Sequence, residues 1–329
     1  MIFTAGAQKM QNPSAPEMQA LREKFRNEPW TGALEAEFPT GERVVFLLTE
    51  GTMKCCYHLS LNVPQKRDLE EAWSRLLQSP PAVFSFIALE VRSLQLVRIL
   101  LEHPIPAETL TVDGDRLGRI VEEWTRLSHP SLAVMKWTGG QGLLALWPDP
   151  AQALDGVLVS PAGTWQGGDA VTRILSAGLK ECEVSRHAFV SDGSAWEGFA
   201  FQRVFVRLME ALLVRYKELT GLALLNALDR NINRVAFEHK WKFSITLGSV
   251  SDQMLFAELD ETLSACKVLL EVACGHIGVV LGQKLLRSLI QDAIALLDPH
   301  SIHMIEKYSI DAFLGLPRSS LINGEGTHG

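Results

Sequence analysis

The sequence predicts an α+β protein: one or two small α/β modules followed by an all-α domain with an internal repeat. Three observations carry this reading. Between residues 31 and 190, apolar runs of strand length alternate with helical patterns, separated by turns such as Pro39-Thr40-Gly41 and Glu50-Gly51. From Ala195 onward the periodicity is almost wholly helical: Phe201, Phe205, Leu208, Leu212, Tyr216 and Leu219 step by four, three, four, four and three. Finally, Leu212-Leu213, Gly221 and Leu228 recur 57 residues later as Leu269-Leu270, Gly278 and Leu285.

Taken in order, residues 1–13 are polar and aperiodic and read as a loose tail. Ser14 suits an N-cap, with Pro16 in the first turn and Glu17 where the helix dipole favours an anion. That helix buries Met18, Leu21 and Phe25 and runs to about Asn27. Strands follow at Thr31–Phe38, Arg43–Thr49 and Met53–Leu59, then a helix at Pro64–Leu77 stopped by Pro80-Pro81. A fourth strand at Val83–Leu89 and a closing helix at Val91–Leu101 complete a module spanning 14–110.

Residues 111–194 give the same order again: a helix at Leu117–Leu127, strands at Leu132–Trp137, Leu143–Trp147 and Gly156–Val159, a helix at Asp169–Leu179, and a strand at Val184–Val190. We read this as a second, diverged module, although any small α/β domain gives such an order. The helical domain is expected over 195–316, with Thr220-Gly221 breaking its first two helices and a strand at Trp241–Leu247. Asp252 is placed as the cap of a helix reaching about Cys274, followed by helices at Val280–Leu297 and Ser301–Leu314. Residues 317–329 are polar and Gly-rich and read as a disordered tail.

Composition narrows the class of role. With 47% apolar residues in 329, the chain has ample material for real cores. The net charge of −7 divides as −2, −3 and −2 over 1–110, 111–194 and 195–329, without the basic bias of a nucleic-acid footprint. The sequence lacks an uninterrupted apolar window of about 18 residues and a secretory leader pattern, so the reading is cytoplasmic with no membrane. Five cysteines without a C-x-x-C pair suit reduced, buried thiols.

The run Thr31-Gly32-Ala33-Leu34, the strand Val44–Leu48, the turn Glu50-Gly51-Thr52-Met53-Lys54 and the Leu/Trp-rich helix after it resemble the PATAN domain. The likeness covers Ala15 to Glu102. It implies a small α/β module of bacterial signalling proteins, found beside receiver or other regulatory domains, and it transfers no catalytic residue.

Candidate chemistry is sparse. Val157–Ala170 runs strand, glycines, helix, a setting that can hold phosphate, but it lacks Gly-Lys-Ser/Thr and Asp169 reads as an ordinary N-cap. Cys266, Cys274 and His276, with His300 and His303 beyond, are spaced for core thiols rather than zinc. Cys55-Cys56 fall on opposite strand faces, so one at most should be buried. Glu70-Glu71, Glu122-Glu123 and Glu258, Asp260, Glu261 read as solvated helix faces. Arg22, Lys24 and Arg26 beside Trp30, and Arg230 with Arg234, are the basic pairs that could touch DNA.

These readings lead to a non-enzymatic signalling or scaffold protein that takes no metal or cofactor and works through a protein partner or further copies of itself. A transcription-associated regulator and a small-ligand sensor with a pocket between modules are the alternatives. The residues singled out are Phe201, Phe205, Leu208, Leu212 and Tyr216, on a helix linking the two halves, and Gly221 and Gly278 as repeat junctions.

Overall fold

The computed structural model describes residues 7–60, 63–127, 130–147, 155–177, 180–188 and 194–314. The fold is α+β, and the chain divides into two compact units, Met1–Trp196 and Glu197–Gly329.

The first unit opens with β1 (Gln8–Gln11), so part of the expected loose tail is instead an edge strand. Helix α1 (Ala15–Asn27) starts on a capping box: Glu17 N–H donates to Ser14 Oγ, and Ser14 N–H donates to the Glu17 carboxylate. Strands β2 (Gly32–Glu37), β3 (Arg43–Thr49) and β4 (Thr52–Ser60) form the expected meander. Next, β5 (Val63–Lys66) adds a strand where a helix was expected, because Pro64 precedes the true N-cap, Asp68. Helix α2 (Leu69–Gln78), β6 (Val83–Ala88) and α3 (Val91–Glu102) complete the first module. Its sheet runs β1-β6-β2-β3-β4-β5, antiparallel throughout.

The second module repeats this order. It comprises β7 (Glu108–Val112), α4 (Gly114–Thr125), β8 (Ser131–Trp137), β9 (Gly140–Leu146), β10 (Asp155–Ser160), β11 (Gly163–Gln166), α5 (Gly167–Ser176) and β12 (Cys182–Ala188). Its sheet, read β7-β12-β8-β9-β10-β11, matches the first strand for strand, again antiparallel. Register then pairs residues across the modules: Gly32 with Ser131, Leu34 with Ala133, Tyr57 with Val157. Asp169 lies in the first turn of α5 and is not its cap, which is Gln166.

Each sheet buries one face under its own pair of helices. Leu34, Phe46, Cys56 and Phe84 meet Met18, Phe25, Trp73 and Leu76; Ala133, Met135, Leu144 and Leu158 meet Leu117, Trp124 and Ile174. The opposite faces turn to α3, which lies against β2 and β3 on one side and β8, β9 and β10 on the other. Its apolar residues accordingly run round the whole helix, with Val91, Leu94, Leu96, Val97, Ile99 and Leu101 all buried. This two-sided cover also explains why both Cys55 and Cys56 are buried, against the expectation of one.

The second unit is built on α6 (Ser194–Thr220), whose first residues belong to the first unit. It continues with α7 (Leu222–Glu238), the hairpin β13 (Phe243–Thr246) and β14 (Ser249–Asp252), α8 (Leu259–Leu281), α9 (Gln283–Ala295), α10 (Pro299–Lys307) and α11 (Ile310–Phe313). Asp252 closes β14 rather than capping α8, which starts on the Glu258–Glu261 capping box. Leu247 and Gly248 turn the hairpin at φ 53° and 83°. Asp229 of α7 accepts both of their N–H groups, and Asn233 brackets Ile245 at 2.8 and 2.7 Å.

Helices α6–α7 and α8–α9 form two like pairs, but their spacing is 61 residues. Gly221 (φ 78°, ψ 178°) joins the first pair and Gly282 (φ 82°, ψ 158°) the second. Gly221 N–H donates to Lys217 and Leu225 N–H to Gly221; Gly282 N–H donates to Gly278 and Leu286 N–H to Gly282. Buried positions match at that interval: Phe201 with Thr262, Phe205 with Cys266, Leu208 with Leu269, Tyr216 with Ile277, Leu225 with Leu286, Leu228 with Leu289. Gly278 is therefore not the second junction. It lies inside α8, where a Cβ would come 2.8 Å from Gln283 Nε2 and 3.3 Å from Leu286 Cδ2.

Candidate functional site

The residues expected on the linking helix are all in α6 and all buried: Phe201, Phe205, Leu208, Leu212 and Tyr216. They make α6 the central stave of the helical unit. Phe201 meets Tyr308 edge-on at 5.5 Å, Phe205 meets Phe243 at 5.6 Å, and Tyr216 meets His276 at 6.1 Å. Polar ties reinforce the same helix: Gln202 donates to the Met254 carbonyl, Arg207 pairs with Asp298 at 2.6 Å, and Glu197 takes Lys307 and the Tyr308 hydroxyl.

The apolar stripe does not stop where the burial stops. Leu219 is 58% exposed, Leu222 52%, Val279 88% and Leu285 49%; Leu224 and Val280 are also exposed. Because Tyr216 touches His276, the C-terminal ends of α6 and α8 lie side by side. Leu219 and Val279 are each three residues further on, a rise of about 5 Å, so both junctions reach the same end of the unit. Leu219 and Val280, and Leu224 and Leu285, occupy equivalent places in the two helix pairs. The patch is thus written twice.

Its charge differs from that of the whole chain. Residues 214–224 and 278–288 hold Arg215, Lys217, Lys284 and Arg287 against Glu218 alone, a net +3 within a chain of −7. Glu218 is paired with Arg215 at 2.9 Å and Asp292 of α9 also acts on Arg215, so the basic character of this end rests on Lys217, Lys284 and Arg287. Helices α7 and α9 also begin here on glycine N-caps without a side-chain hydrogen bond, leaving their first N–H groups turned to this end.

A second site forms in the first module around Trp30 and the Glu50-Gly51 turn. Gly51 N–H donates to the Trp30 carbonyl at 2.8 Å, and Glu50 N–H to Thr31 Oγ1 at 3.0 Å. The indole of Trp30 stacks on Phe25 with centroids 4.3 Å apart, and Phe86 closes edge-on. Gly32 makes the room: a Cβ there would sit 2.2 Å from the Ile87 carbonyl oxygen and 2.5 Å from the indole ring. Gly51 does the same for α1, since its Cβ would fall 2.0 Å from the Phe25 carbonyl oxygen. Beside this knot lies a half-open hollow of about 500 Å³, lined by Lys24, Glu28, Trp30, Phe86 and, from the second module, Thr164.

A third cluster has no counterpart in the sequence reading. Glu102, at the end of α3, accepts from the Tyr57 hydroxyl at 2.8 Å, Arg98 Nε at 3.1 Å and Ala195 N–H at 2.8 Å. Burial would raise the Glu102 carboxyl, but Arg98 and these hydrogen bonds outweigh it and hold the group below its ordinary range. Burial pushes the Tyr57 hydroxyl far up. Trp196 meets Trp147 at 4.6 Å with the rings tilted by 37°, a contact within the first unit. Arg98 and Glu102 are an i,i+4 pair on α3, but Tyr57 lies 41 residues from Arg98 and Ala195 93 from Glu102, so the cluster leaves no local motif to find.

The remaining candidates are placed as follows. Cys266 and Cys274 are desolvated in α8, Cys274 with its thiol raised to about 11, and His276 is hydrogen-bonded to Asn231 at 2.9 Å. Among the described residues, no three His, Cys, Asp or Glu side chains gather as a metal-binding group. Glu70 pairs with Arg22, Glu122 with Arg126 and Arg234 with Glu238. The Gly-rich stretch before α5 is strand β11, whose Trp165 ring lies under Arg173, 4.7 Å from guanidinium to centroid. Among the described residues α8 alone is long and apolar enough to cross a membrane, yet Ala265, Cys266, Leu269, Leu270, Ala273 and Ile277 pack it into the helical unit. The Asp192-Gly193 turn before α6 and residues 317–329 lie outside the described residues.

Comparison with known proteins returned no matching family model, no matching curated protein and no matching solved structure.

Proposed function

We propose that this is a non-catalytic, cytoplasmic signalling or scaffold protein of bacterial type that acts by holding a protein partner on its helical unit. The observation that supports this is the doubled apolar end, where Leu219, Leu222 and Leu224 at one helix junction and Val279, Val280 and Leu285 at the other are each exposed. Scattered surface leucines need no explanation, but a contiguous apolar group rimmed by charge is what interaction sites are made of. The PATAN-like residues of the first module agree with a signalling setting. The test is co-purification of tagged full-length protein from its own host, comparing wild type with Leu224→Asp/Leu285→Asp. The expected result is unchanged circular dichroism and loss of a stoichiometric partner. An identical partner set in both samples would refute the reading.

A small-ligand sensor is the second reading, favoured by the Trp30 hollow, which takes residues from both modules. A ligand-induced rise in melting temperature that disappears in Trp30→Ala would support it.

A further inference from the structure

We infer that the partner segment seated on this end is an amphipathic helix whose apolar stripe is flanked by acidic residues. The inference rests on the protein-binding reading above and adds the chemistry of the partner. Three features of the site select that occupant. First, the exposed side chains Leu219, Leu224, Val280 and Leu285 are aliphatic and come from adjoining helix ends, which suits leucine-type anchors at helical spacing. Second, the rim is basic, net +3 over the two junctions, with Lys217, Lys284 and Arg287 all exposed. Third, α7 and α9 present uncapped N-termini to the same end, and these favour carboxylates over ammonium groups.

The same features disfavour the two other occupants. A second copy docking through this end would set one +3 rim against another, a like-charge contact that costs affinity and slows encounter. An anionic bilayer would attract the rim locally, but the chain as a whole carries −7 and is repelled by such a surface at longer range. A helix with a few acids meets only the rim.

The probe is a fluorescein-labelled 18-residue synthetic helix with leucines at i, i+3, i+4 and i+7 flanked by glutamates, read by anisotropy against the full-length chain. The expected result is saturable binding that weakens at least about tenfold in Leu224→Asp/Leu285→Asp. Salt raised from about 50 to 500 mM should weaken it several-fold. Lys284→Glu/Arg287→Glu should weaken it about tenfold, while tightening a lysine-flanked version of the same peptide. Equal binding of the two peptides by wild type overturns the acidic assignment and leaves the protein-binding reading standing. Self-association abolished by the leucine variants, or capture by phosphatidylglycerol vesicles in place of the peptide, replaces this occupant with a second copy or a membrane. Binding to none of these overturns both readings.

Discussion

The two α/β modules share every strand neighbour and differ on the face they turn to α3. The first sheet presents Tyr57 and Glu35 there, Glu35 paired with Arg43 at 3.3 Å; the second presents Val157 and Val134 at the same register positions. The first module also opens its β2 strand with Gly32 to admit an indole, where the second has a buried serine, Ser131. Topology, then, is carried by element order and turns, which tolerate divergence. The polar chemistry is carried by a few buried residues on one copy. Any special role of the first module resides in those residues.

The largest effect should come from breaking its polar cluster. Glu102→Ala leaves the buried Arg98 guanidinium without its carboxylate and should cost about 3–5 kcal/mol in urea unfolding. Leu143→Ala, on the α3 side of the second sheet, should cost about 2–5 kcal/mol by cavity formation alone. The two should differ in pH dependence. Glu102 has a depressed folded value, so its contribution is complete above about 4.3 and lost as pH falls through that lower value. The Leu143→Ala cost should stay flat across that range, and a Glu102→Ala cost equally flat down to pH 2 would contradict the ion-pair explanation.

Acid should act first through buried histidines, in both modules and in the helical unit: burial lowers His103, His187, His276 and His300. Burial lowers the His187 imidazole, whose Nδ1 lies 2.7 Å from the His103 carbonyl. The unfolded chain therefore takes up the proton more readily, and stability falls as pH drops below about 6.5. His187→Gln should remove part of the loss between pH 7 and 5, the rest staying with His103, His276 and His300, while leaving the step below pH 4.5 intact. A wild-type profile already flat above pH 5 would contradict this.

Glycines sharpen the comparison further. Gly32→Ala should cost about 1–3 kcal/mol through overpacking and should shift Trp30 fluorescence. The smallest effect, of opposite sign, belongs to the second module: Gly118 is in mid-helix with open space around its Cβ, so Gly118→Ala should stabilise by about 0.5–1 kcal/mol. Melting curves of the two variants should move in opposite directions.

Much of this architecture was legible in the chain. Period-two runs and turn glycines placed the meanders, the Ser14 cap placed α1, and the wide stripe from Phe201 to Tyr216 placed α6. Edge strands were not legible. Gln8–Gln11 and Val63–Lys66 are short, polar and paired on one side only, so they carry no alternation to read. The role of α3 is marked by its apolar residues, which from Val91 to Leu101 fall on every side of the helix although Arg92, Ser93, Gln95 and Arg98 lie among them. The 57-residue repeat erred by one helical turn because a buried leucine pattern matches itself at i+4. Only the backbone at Gly282 fixes the true junction. The apolar end at Leu219 and Leu285 was hidden for the same reason, since exposed and buried leucines look alike in a stripe.

The shared core of the first unit is open to one direct measurement: native-state hydrogen exchange of the full-length protein in rising denaturant, followed for amides of β2, β3, α3, β8 and β9. A helix that covers both sheets ties their opening together, so these amides should converge on one free energy and one denaturant dependence. Protection of β8 and β9 that survives after β2, β3 and α3 have exchanged would contradict it.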